Sequence, residues 1–407
     1  MTMIDRAREF DAADPIGHYR TRFALPEGVI YLDGNSLGAL PKATPSAISR
    51  VVENEWGEGL IRSWNDADWF EMAARIGGKI APLVGAHPHE VIACDSVSVN
   101  LYKLIAAALA MRPGRKTILS EPGNFPTDIY MAEGLQRQGL ATQRLAPRED
   151  LLEALDDDVA LLVLTHAHYK TGELFDLAAM TQAAHDAGAL VLWDLSHSTG
   201  ALPVNLNASG ADFATGCGYK YLCGGPGAPA FAFVAERHLA DLAQPLTGWF
   251  GHARPFAFSD QYEAAPGIEK LQCGTSPVLG LTALEVGVDL IAEIGVERLF
   301  AKSQGLSECF LQCLAESGVD LNLVSPASSA HRGSQLSFRH PNAYAICQAL
   351  IARGVIGDFR DPDVLRLGFA PAYLRFEDVA QAAEHLAQVI QSGEWQSPQF
   401  NQRAVVT

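Results

Sequence analysis

The sequence has few basic residues, no long apolar run and no paired cysteines. Its 30 lysines and arginines stand against 47 acidic residues, which leaves a formal net charge of −17. A chain this acidic lacks the basic surface that binding to nucleic acid or to an anionic membrane requires. No apolar stretch approaches the ~20 residues of a membrane-spanning helix. We therefore expect neither nucleic acid nor a membrane as a partner.

The cysteines and histidines give no metal-binding pattern. Seven cysteines are scattered along the chain, and none forms a Cys-x-x-Cys pair. Cys309 and Cys313 share a helix face without a nearby histidine, and His166 and His168 lack a carboxylate partner, so neither pair indicates a metal site. The first 20 residues contain no apolar segment of a secretory signal. We expect reduced thiols, no metal and a cytoplasmic location.

Apolar strands alternate with helices through the middle of the chain, which at 407 residues is long enough for two domains. This alternation predicts an α/β fold with a mostly parallel sheet covered on both faces. In such sheets a ligand lies outside the carboxyl ends of the strands. The predicted strands are 91–94, 117–120, 159–165, 189–194, 212–214 and 229–234.

A long helix over 279–308, with a break near Gly295, is predicted to lead into a smaller α/β unit. Strands at 321–324, 334–338 and 364–369 and helices at 343–353 and 376–391 complete that unit. We therefore expect three regions. Residues 1–55 form an arm and a turn that contribute to the small domain and the active site, 56–290 form the large domain, and 291–407 form the small C-terminal domain.

The stretch around which the rest is organised joins a carboxylate to a lysine. An apolar strand ends in Asp194, and Lys220 follows on a turn that begins with two glycines, Gly216 and Gly218. Pyridoxal phosphate (PLP) needs an amine to attach it and an acid for its pyridinium nitrogen, so this pair suits that cofactor. A helix-capping aspartate and a solvated lysine explain the pattern equally, and the pair alone leaves both open.

Several other segments allow both a functional and a structural interpretation. Val97 and Ser98 begin a helix and suit a phosphate, although ordinary N-capping explains the serines as well. Ser36 lies in the tight turn 33–38, which exposes amides and a hydroxyl but is also an ordinary loop. Trp64 suits the wall of an aromatic-binding pocket, and a core position is the alternative.

Six motifs, taken in order, resemble those of kynureninases: YLDGNSLG at 31–38, NFPTD at 124–128, WDLSH at 193–197, YKYL at 219–222, GWFGH at 248–252 and RLGF at 366–369. The resemblance spans residues 23 to about 400. It implies a fold-type I PLP-dependent transferase-like architecture, in which a large domain with a mostly parallel seven-stranded-type sheet is joined to a smaller C-terminal α/β domain. It also implies a homodimer with its active site at the subunit interface.

The reaction implied by the resemblance is hydrolysis of the Cβ–Cγ bond of L-kynurenine, and less well of 3-hydroxykynurenine. The products are anthranilate and L-alanine, within tryptophan catabolism, the kynurenine pathway that also supplies NAD biosynthesis. The preference for unsubstituted kynurenine is inferred from Trp64, Gly274 and Thr275, which resemble the bacterial pattern.

The resemblance also implies a role for each matching residue. Lys220 attaches PLP and then serves as the base, Asp194 pairs with the pyridine nitrogen, and Phe125 stacks on the ring. The other expected cofactor contacts are Pro126, Thr127, Asp128, Thr165 and His197, with Val97, Ser98 and Tyr219 at the phosphate and Trp249 and Thr275 reaching it across the dimer interface. Val97 stands where many relatives have threonine, so only its backbone amide can bind phosphate. Arg366 is expected to bind the substrate's α-carboxylate, Ser36, Trp64 and Gly274 line the substrate site, and Tyr219 is the candidate proton donor.

Three alternatives remain open from the sequence. A cysteine desulfurase-like lyase of the same fold needs a nucleophilic cysteine in the loop 325–333, which contains none. A transaminase of the same fold would be revealed by a keto-acid product. A non-catalytic protein with this fold has no need of Lys220, Asp194 and Arg366 together.

Overall fold

The computed structural model describes residues 2–403. Met1 and residues 404–407 lie outside the described residues. Met1 begins the predicted region 1–55, and residues 404–407 end the predicted region 291–407. The helices in chain order are α1 (Met3–Ala13), α2 (Thr44–Arg50), α3 (Ser63–Asp66), α4 (Met72–Ile80), α5 (Val97–Met111), α6 (Pro126–Arg137), α7 (Leu151–Ala154), α8 (Leu177–Asp186), α9 (Leu206–Ser209), α10 (Glu236–Leu239), α11 (Val278–Ile294), α12 (Val296–Glu316), α13 (Ala343–Ala352) and α14 (Phe376–Ser392). A π-helical segment, Val51–Gly59, continues α2.

The strands form a large sheet, a smaller sheet and two short pairs. In chain order they are β1 (Phe23–Ala24), β2 (Ile30–Tyr31), β3 (Leu40–Pro41), β4 (Val91–Ala93), β5 (Thr117–Ser120), β6 (Thr142–Leu145), β7 (Val159–Thr165), β8 (Leu190–Asp194), β9 (Phe213–Gly216), β10 (Phe231–Val234), β11 (Asn322–Leu323), β12 (Gln335–Arg339), β13 (Val355–Ile356), β14 (Asp358–Arg360) and β15 (Val364–Gly368). The large sheet has seven strands in the order β4-β10-β9-β8-β7-β5-β6.

The large sheet is mostly parallel, as the strand–helix alternation predicted. Five neighbouring strands run parallel to one another, in the order β9, β8, β7, β5 and β6. β10 is antiparallel to both β9 and β4. Every residue of β7 and β8 is buried. Such strands exclude water from both faces, which explains their almost uninterrupted apolar sequences. The fold class predicted from the sequence is therefore confirmed.

The sequence patterns missed several strands, of which β6 and β14 are the longest. β6 forms the exposed edge of the large sheet and carries Thr, Gln and Arg, so it shows no apolar run. β14 is a three-residue edge strand of the small sheet, whose order is β11-β12-β15-β14. The predicted helix over 279–308 does break at Gly295, but its second half, α12, continues to Glu316.

The N-terminal arm is attached to the C-terminal part of the chain. The Asp11 carboxylate accepts hydrogen bonds from the backbone amides of Phe376 and Glu377, at 2.8 and 2.9 Å, and thereby caps the first turn of α14. Lys302 on α12 forms a buried ion pair of 2.7 Å with Asp14. The cap satisfies amides that a helix start leaves free, so α1 is held against α12 and α14.

The turn 33–38 packs directly on the loop that carries Lys220. The Gly38 amide donates a 2.8 Å hydrogen bond to the Tyr219 carbonyl oxygen. A Cβ at Gly38 would lie 2.2 Å from the Lys220 carbonyl oxygen, so only glycine allows this approach. The strand β2 before the turn pairs with β13, and Asp33 bridges to Gly368 at the end of β15. The turn thus connects the lysine loop to the small sheet.

Within residues 2–403, no helix combines the length and the apolar character that crossing a membrane requires.

Candidate active site

The carboxyl ends of β7 and β8 open into a cavity of about 390 Å³. This is the position at which parallel α/β sheets bind ligands, because loops from neighbouring strands diverge there. The cavity is lined by Asp95, Ser96, Val97, Ser98, Phe125, Thr127, Thr165, Tyr169, Asp194, Ser196, His197, Cys217, Tyr219, Lys220, Gly227, Ala228, Pro229, Ala230 and Pro277.

Two buried carboxylates lie at this end of the sheet. Asp194 is the last residue of β8, and its Oδ1 accepts a 2.7 Å hydrogen bond from the Ser196 amide. Asp128 on α6 accepts a 3.1 Å hydrogen bond from the Thr165 hydroxyl at Oδ2, while its buried Oδ1 has no partner among residues 2–403. Burial raises the pKa of Asp194, and burial followed by the Asp194 charge raises the pKa of Asp128 well above its usual range. The pair therefore favours a cationic group beside it.

Asn124 fixes the loop between these carboxylates and β7. The Thr165 hydroxyl donates to Asn124 Oδ1, and the Asn124 amide nitrogen donates to Ser120 Oγ at 3.1 Å. Asn124 Oδ1 also accepts from the Phe125 amide at 2.7 Å. The loop is consequently held by the ends of both β5 and β7, and the Phe125 ring faces the cavity.

His197 borders the cavity as a neutral ring. Burial, followed by the positive charges of Lys220, Arg366 and Arg360, lowers the pKa of His197 well below its usual range. Its buried Nδ1 has no hydrogen-bond partner in the described part of the chain. The structure shows no hydrogen bond from His197 to Asp194 or to Asp128.

Lys220 is buried, and its Nζ makes no hydrogen bond or ion pair with any of the described residues. The Nζ lies 5.6 Å from the centre of the Phe125 ring and 6.0 Å from that of Tyr219. Burial raises the pKa of Tyr219, so that phenol stays protonated at neutral pH. An unpaired amine between two aromatic rings is available for covalent chemistry.

The start of α5 provides the polar side of the cavity. Ser96 caps the helix, accepting from the Val99 amide, and the amides of Val97 and Ser98 belong to its first turn. The hydroxyls of Ser98 and Thr127 are hydrogen-bonded at 2.6 Å. Free amides at a helix start combined with two hydroxyls suit a phosphate group. Val97 contributes no side-chain donor here.

Arg366 lies behind Tyr169 and does not line the cavity. It projects from β15 opposite Asp358 on β14 and binds that carboxylate with two nitrogen atoms, Nε at 2.8 Å and Nη2. Its Nη2 also donates to Ser36 Oγ at 2.9 Å, and its Nη1 donates to the Tyr169 carbonyl oxygen at 2.6 Å. Ser36 and Arg366 are therefore brought together, outside the lining of the cavity that contains Lys220.

A second cavity of about 570 Å³ gathers three of the remaining candidates, Trp64, Trp249 and Thr275. Trp64 packs edge-on against Phe250, with ring centres 5.7 Å apart, and Trp249 is 42% exposed. Gly274 precedes Thr275 and is solvent-exposed. None of these residues lines the first cavity within this chain. Pro126 is the first residue of α6 and does not line it either.

Sequence reasoning missed several residues of the site. Tyr169 lines the cavity, with its ring edge-on to Phe125, and its carbonyl oxygen accepts from Arg366. Asp358 follows a glycine on a strand too short and polar to be recognised. The other missed contacts are Asn124, Ser196, Cys217 and Arg360. Asn124 alone carried a usable signal, since it stands in the turn that follows a strand, two residues before Pro126.

No described group of three or more metal-ligating side chains could hold a metal ion. His166 instead bonds to the Ser198 hydroxyl at 2.8 Å, and His168 to the Gly123 carbonyl oxygen at 2.9 Å.

Comparisons with known proteins relate the chain to curated enzymes over its whole length. Residues 299–386 match the family model described as the Kynureninase C-terminal domain. The chain is 48% identical to the kynureninase of Burkholderia mallei (strain SAVP1) over 417 residues and 46% identical to that of Pseudomonas fluorescens over 417 residues. In both cases the match covers 100% of this chain and 100% of the relative.

Solved structures show the same fold at low sequence identity. The apo structure of a cysteine desulfurase from Thermococcus onnurineus NA1 matches with a TM-score of 0.79 and 18% identity, covering 92% of this chain and 98% of that one. A variant of C-DES with glycine covalently linked to its PLP cofactor matches with a TM-score of 0.79 and 18% identity, over 90% and 98%. These likenesses show a fold-type I architecture. The evidence for the reaction comes from the full-length relatives.

Proposed function

Because the chain belongs to the kynureninase family, we propose that the cavity around Lys220 is where it carries out that family's reaction. The protein is a PLP-dependent kynureninase, which hydrolyses the Cβ–Cγ bond of L-kynurenine to anthranilate and L-alanine. The observation that carries the proposal is the convergence of Lys220, Asp194 and the start of α5 on one cavity.

The residues around this cavity fit PLP. A pyridinium nitrogen next to Asp194 would give that buried carboxylate the cationic partner it lacks, and Asp128 supplies a second buried acceptor. Phe125 offers a ring face to a planar group, and the first turn of α5 offers amides to a phosphate. Among residues 2–403, His197 Nδ1 is a further buried polar atom without a hydrogen-bond partner, and Lys220 Nζ makes no hydrogen bond.

When bound, PLP supplies an electron sink that makes the proton on the substrate's Cα removable. Lys220 would hold the cofactor through Nζ, and its free amine would be the base that takes up the Cα proton and returns it. Asp194, as a buried carboxylate, would keep an adjoining pyridine nitrogen protonated by charge pairing. Tyr219, whose hydroxyl stays protonated, would donate a hydrogen bond to the phosphate and is the candidate proton donor for the alanyl product.

Arg366 and Ser36 bind the substrate's α-carboxylate in this proposal. A guanidinium group binds a carboxylate through two parallel N–H groups, which fixes the orientation as well as the charge of the ligand. Arg366 contacts the backbone of Tyr169, which lines the cavity, so the carboxylate reaches it from the side of the cavity that Tyr169 lines. The substrate is a small molecule, an amino acid.

We propose a homodimer whose partner covers the mouth of the site. Large apolar side chains are exposed around the second cavity, with Ile61 at 77% and Phe258 at 79% exposure. A cluster of this kind marks a protein–protein interface. Others nearby are Trp56, Leu60, Trp249, Phe256 and Leu279. Trp249 and Thr275 stand apart from this chain's own Lys220 cavity, in agreement with a role at the partner's phosphate site.

The preference for unsubstituted kynurenine rests on Trp64, Gly274 and Thr275. Trp64 presents an aromatic wall in the second cavity, and Gly274 adds no side chain beside it. The Trp64 ring offers no hydrogen-bond acceptor to a ring hydroxyl and does not compensate its lost hydration, so 3-hydroxykynurenine should react less well. The enzyme then belongs to tryptophan breakdown in a cytoplasmic setting.

The activity is tested by following anthranilate fluorescence after mixing the PLP-loaded protein with L-kynurenine. Wild type should release anthranilate and L-alanine in equal amounts, and Lys220→Ala should release neither. A Lys79→Ala variant, which changes a lysine on the surface of α4, is the matched control and should retain wild-type activity. A PLP-loaded wild type that makes no anthranilate would contradict the proposal. A panel of other amino acids, scored for keto acid or sulfide, would then reveal a transaminase or a desulfurase.

A further inference from the structure

The guanidinium group of Arg366 is largely engaged by the protein itself. Arginine has five N–H groups. Those of Arg366 reach Asp358 twice, Ser36 once and the Tyr169 carbonyl oxygen once. Only one N–H, on Nη1, is left without a partner among residues 2–403. A carboxylate bound through both terminal nitrogens would take this N–H and the one now given to Ser36.

Asp358 determines the plane of that guanidinium group. It grips the edge formed by Nε and Nη2, and it stands directly opposite Arg366 in the antiparallel pairing of β14 with β15. The carboxylate is itself fixed by the Ser36 hydroxyl at 2.9 Å and by Arg360 at 2.6 Å. Both Asp358 and Arg366 are at most 2% exposed. This pairing leaves the terminal nitrogens as the end of Arg366 that faces Ser36 and Tyr169.

A second carboxyl group competes for the same arginines. Asp33 faces Arg366 and Arg360, and its buried Oδ1 has no partner in the described chain. Burial, followed by the charge of Asp358, raises the pKa of Asp33 to about 7. If Asp358 lost its charge, the pKa of Asp33 would fall, and the Asp33 carboxylate would attract Arg366 more strongly. The guanidinium group would then turn from its present orientation.

We propose that Asp358 is a positioning residue for the substrate, because it holds Arg366 edge-on and thereby presents the two terminal nitrogens to the α-carboxylate. The inference rests on the proposed role of Arg366 in binding that carboxylate. In the absence of substrate, Ser36 Oγ accepts the Arg366 Nη2 hydrogen bond that one carboxylate oxygen would accept. Asp358 acts on the substrate through Arg366 and touches neither the cofactor cavity nor its lining.

The first test is Asp358→Asn, which keeps the shape of the side chain but leaves one acceptor and no charge. Loss of the bidentate, charge-assisted grip should raise KM for L-kynurenine by about 10- to 100-fold. The kcat at saturating substrate should stay within about threefold of wild type, because the groups around Lys220 are unchanged. Asp363→Asn removes a half-buried partner of Arg339 on the same hairpin and should change neither constant.

A binding measurement separates misorientation of Arg366 from general damage. The cofactor's absorption change is titrated with L-alanine, which carries the α-carboxylate, and with L-alaninamide, which does not. Asp358→Asn should weaken the binding of alanine by about tenfold or more and leave that of alaninamide nearly unchanged. Equal weakening of both ligands, or a KM within threefold of wild type, would overturn the proposal.

Two further variants make the outcome decisive. Arg366→Lys should raise KM strongly, and the double variant with Asp358→Asn should show little additional loss, since both act through one contact. If Arg366→Lys leaves KM and alanine binding unchanged, the proposed role of Arg366 is itself wrong. Should Asp358→Asn not fold, Asp358→Glu keeps the charge but displaces it, and the same KM rise and the same alanine selectivity are expected.

Discussion

At the residue scale, the chemistry of the site depends on where a few ordinary side chains are desolvated. Asp194 and Asp128 are carboxylates like the many on the surface, but burial at the end of the sheet raises the pKa of both. Lys220 Nζ has no ion-pair partner in the described chain, although acidic residues outnumber basic ones by 47 to 30. The sequence indicated these residues because each follows an apolar run or a glycine turn. Asp358 gave no such local signal, since its function depends on Arg366, eight residues further on and on the next strand.

Replacing Asp194 with asparagine should remove most of the activity without removing the fold. The amide keeps the size of the side chain but cannot hold an opposing nitrogen in its protonated state, so stabilisation of the developing charge is lost. We expect kcat for anthranilate formation to fall about 10²- to 10³-fold. Asp289→Asn, which alters an exposed carboxylate on α11, is the control and should retain wild-type kcat. A variant Asp194→Asn with near-wild-type kcat would contradict the assignment.

At the element scale, burial decided which strands the sequence could predict. β7 and β8 are fully buried and consist almost entirely of apolar residues, so their pattern was clear. β6 and β14 are edge strands with polar side chains, and hydrogen bonding to a neighbour far along the chain defines them rather than any local pattern. The position of Arg366 behind Tyr169 is also a product of tertiary packing. Strand periodicity predicts which face a side chain takes, but it does not predict which loop covers that face.

Asp212 ties several elements of the large domain together and should make a pH-dependent contribution to stability. It accepts from His238 at 2.7 Å, His185 at 2.9 Å, the Val191 amide at 2.8 Å and Arg237 at 2.7 Å. Burial alone would raise the pKa of Asp212, but these hydrogen bonds outweigh it and hold the pKa at about 2. Since the folded-state pKa lies below the unfolded value of about 3.9, the contribution is complete above pH 4. It is lost as the pH falls from about 4 to about 2.

Asp212→Asn should accordingly lower the free energy of unfolding by about 3 kcal/mol at pH 7. The difference from wild type should be the same at pH 7 and pH 5 and should narrow only below about pH 4. This difference in the free energy of unfolding is measured by denaturant unfolding followed by circular dichroism. Asp289→Asn, which removes an exposed partner of Lys79, should cost less than about 1 kcal/mol. A loss below 1 kcal/mol in Asp212→Asn at pH 7, or a difference that already shrinks between pH 7 and 5, would contradict this account.

At the scale of the whole molecule, contacts between distant parts of the chain build the site. α1 is fastened to α12 and α14, and the turn 33–38 joins the Lys220 loop to the small sheet. The apolar surface around Trp249 is exposed to solvent and does not line this chain's Lys220 cavity. The whole-chain similarity to kynureninases agrees with the fold and the activity predicted from the motifs.

Mixing two inactive variants tests the proposed dimer. Lys220→Ala lacks the essential amine, whereas Trp249→Ala lacks a contact that we assign to the partner's phosphate site. After subunit exchange, a mixed dimer contains one site with both groups intact, so activity should recover to up to about a quarter of wild type. Each variant alone should remain inactive or nearly so. No recovery, despite mixed dimers being detected by mass, would place Trp249 in its own subunit's site or outside the mechanism.

The central claim, that the cavity around Lys220 is the active site, is tested most directly by locating the cofactor on the chain. The PLP-loaded protein is reduced with borohydride, digested and analysed by mass spectrometry. The account predicts one pyridoxyl-phosphate group per chain, carried by the peptide that contains Lys220, and its absence from Lys220→Ala. Attachment to another lysine, or undiminished labelling in Lys220→Ala, would contradict it.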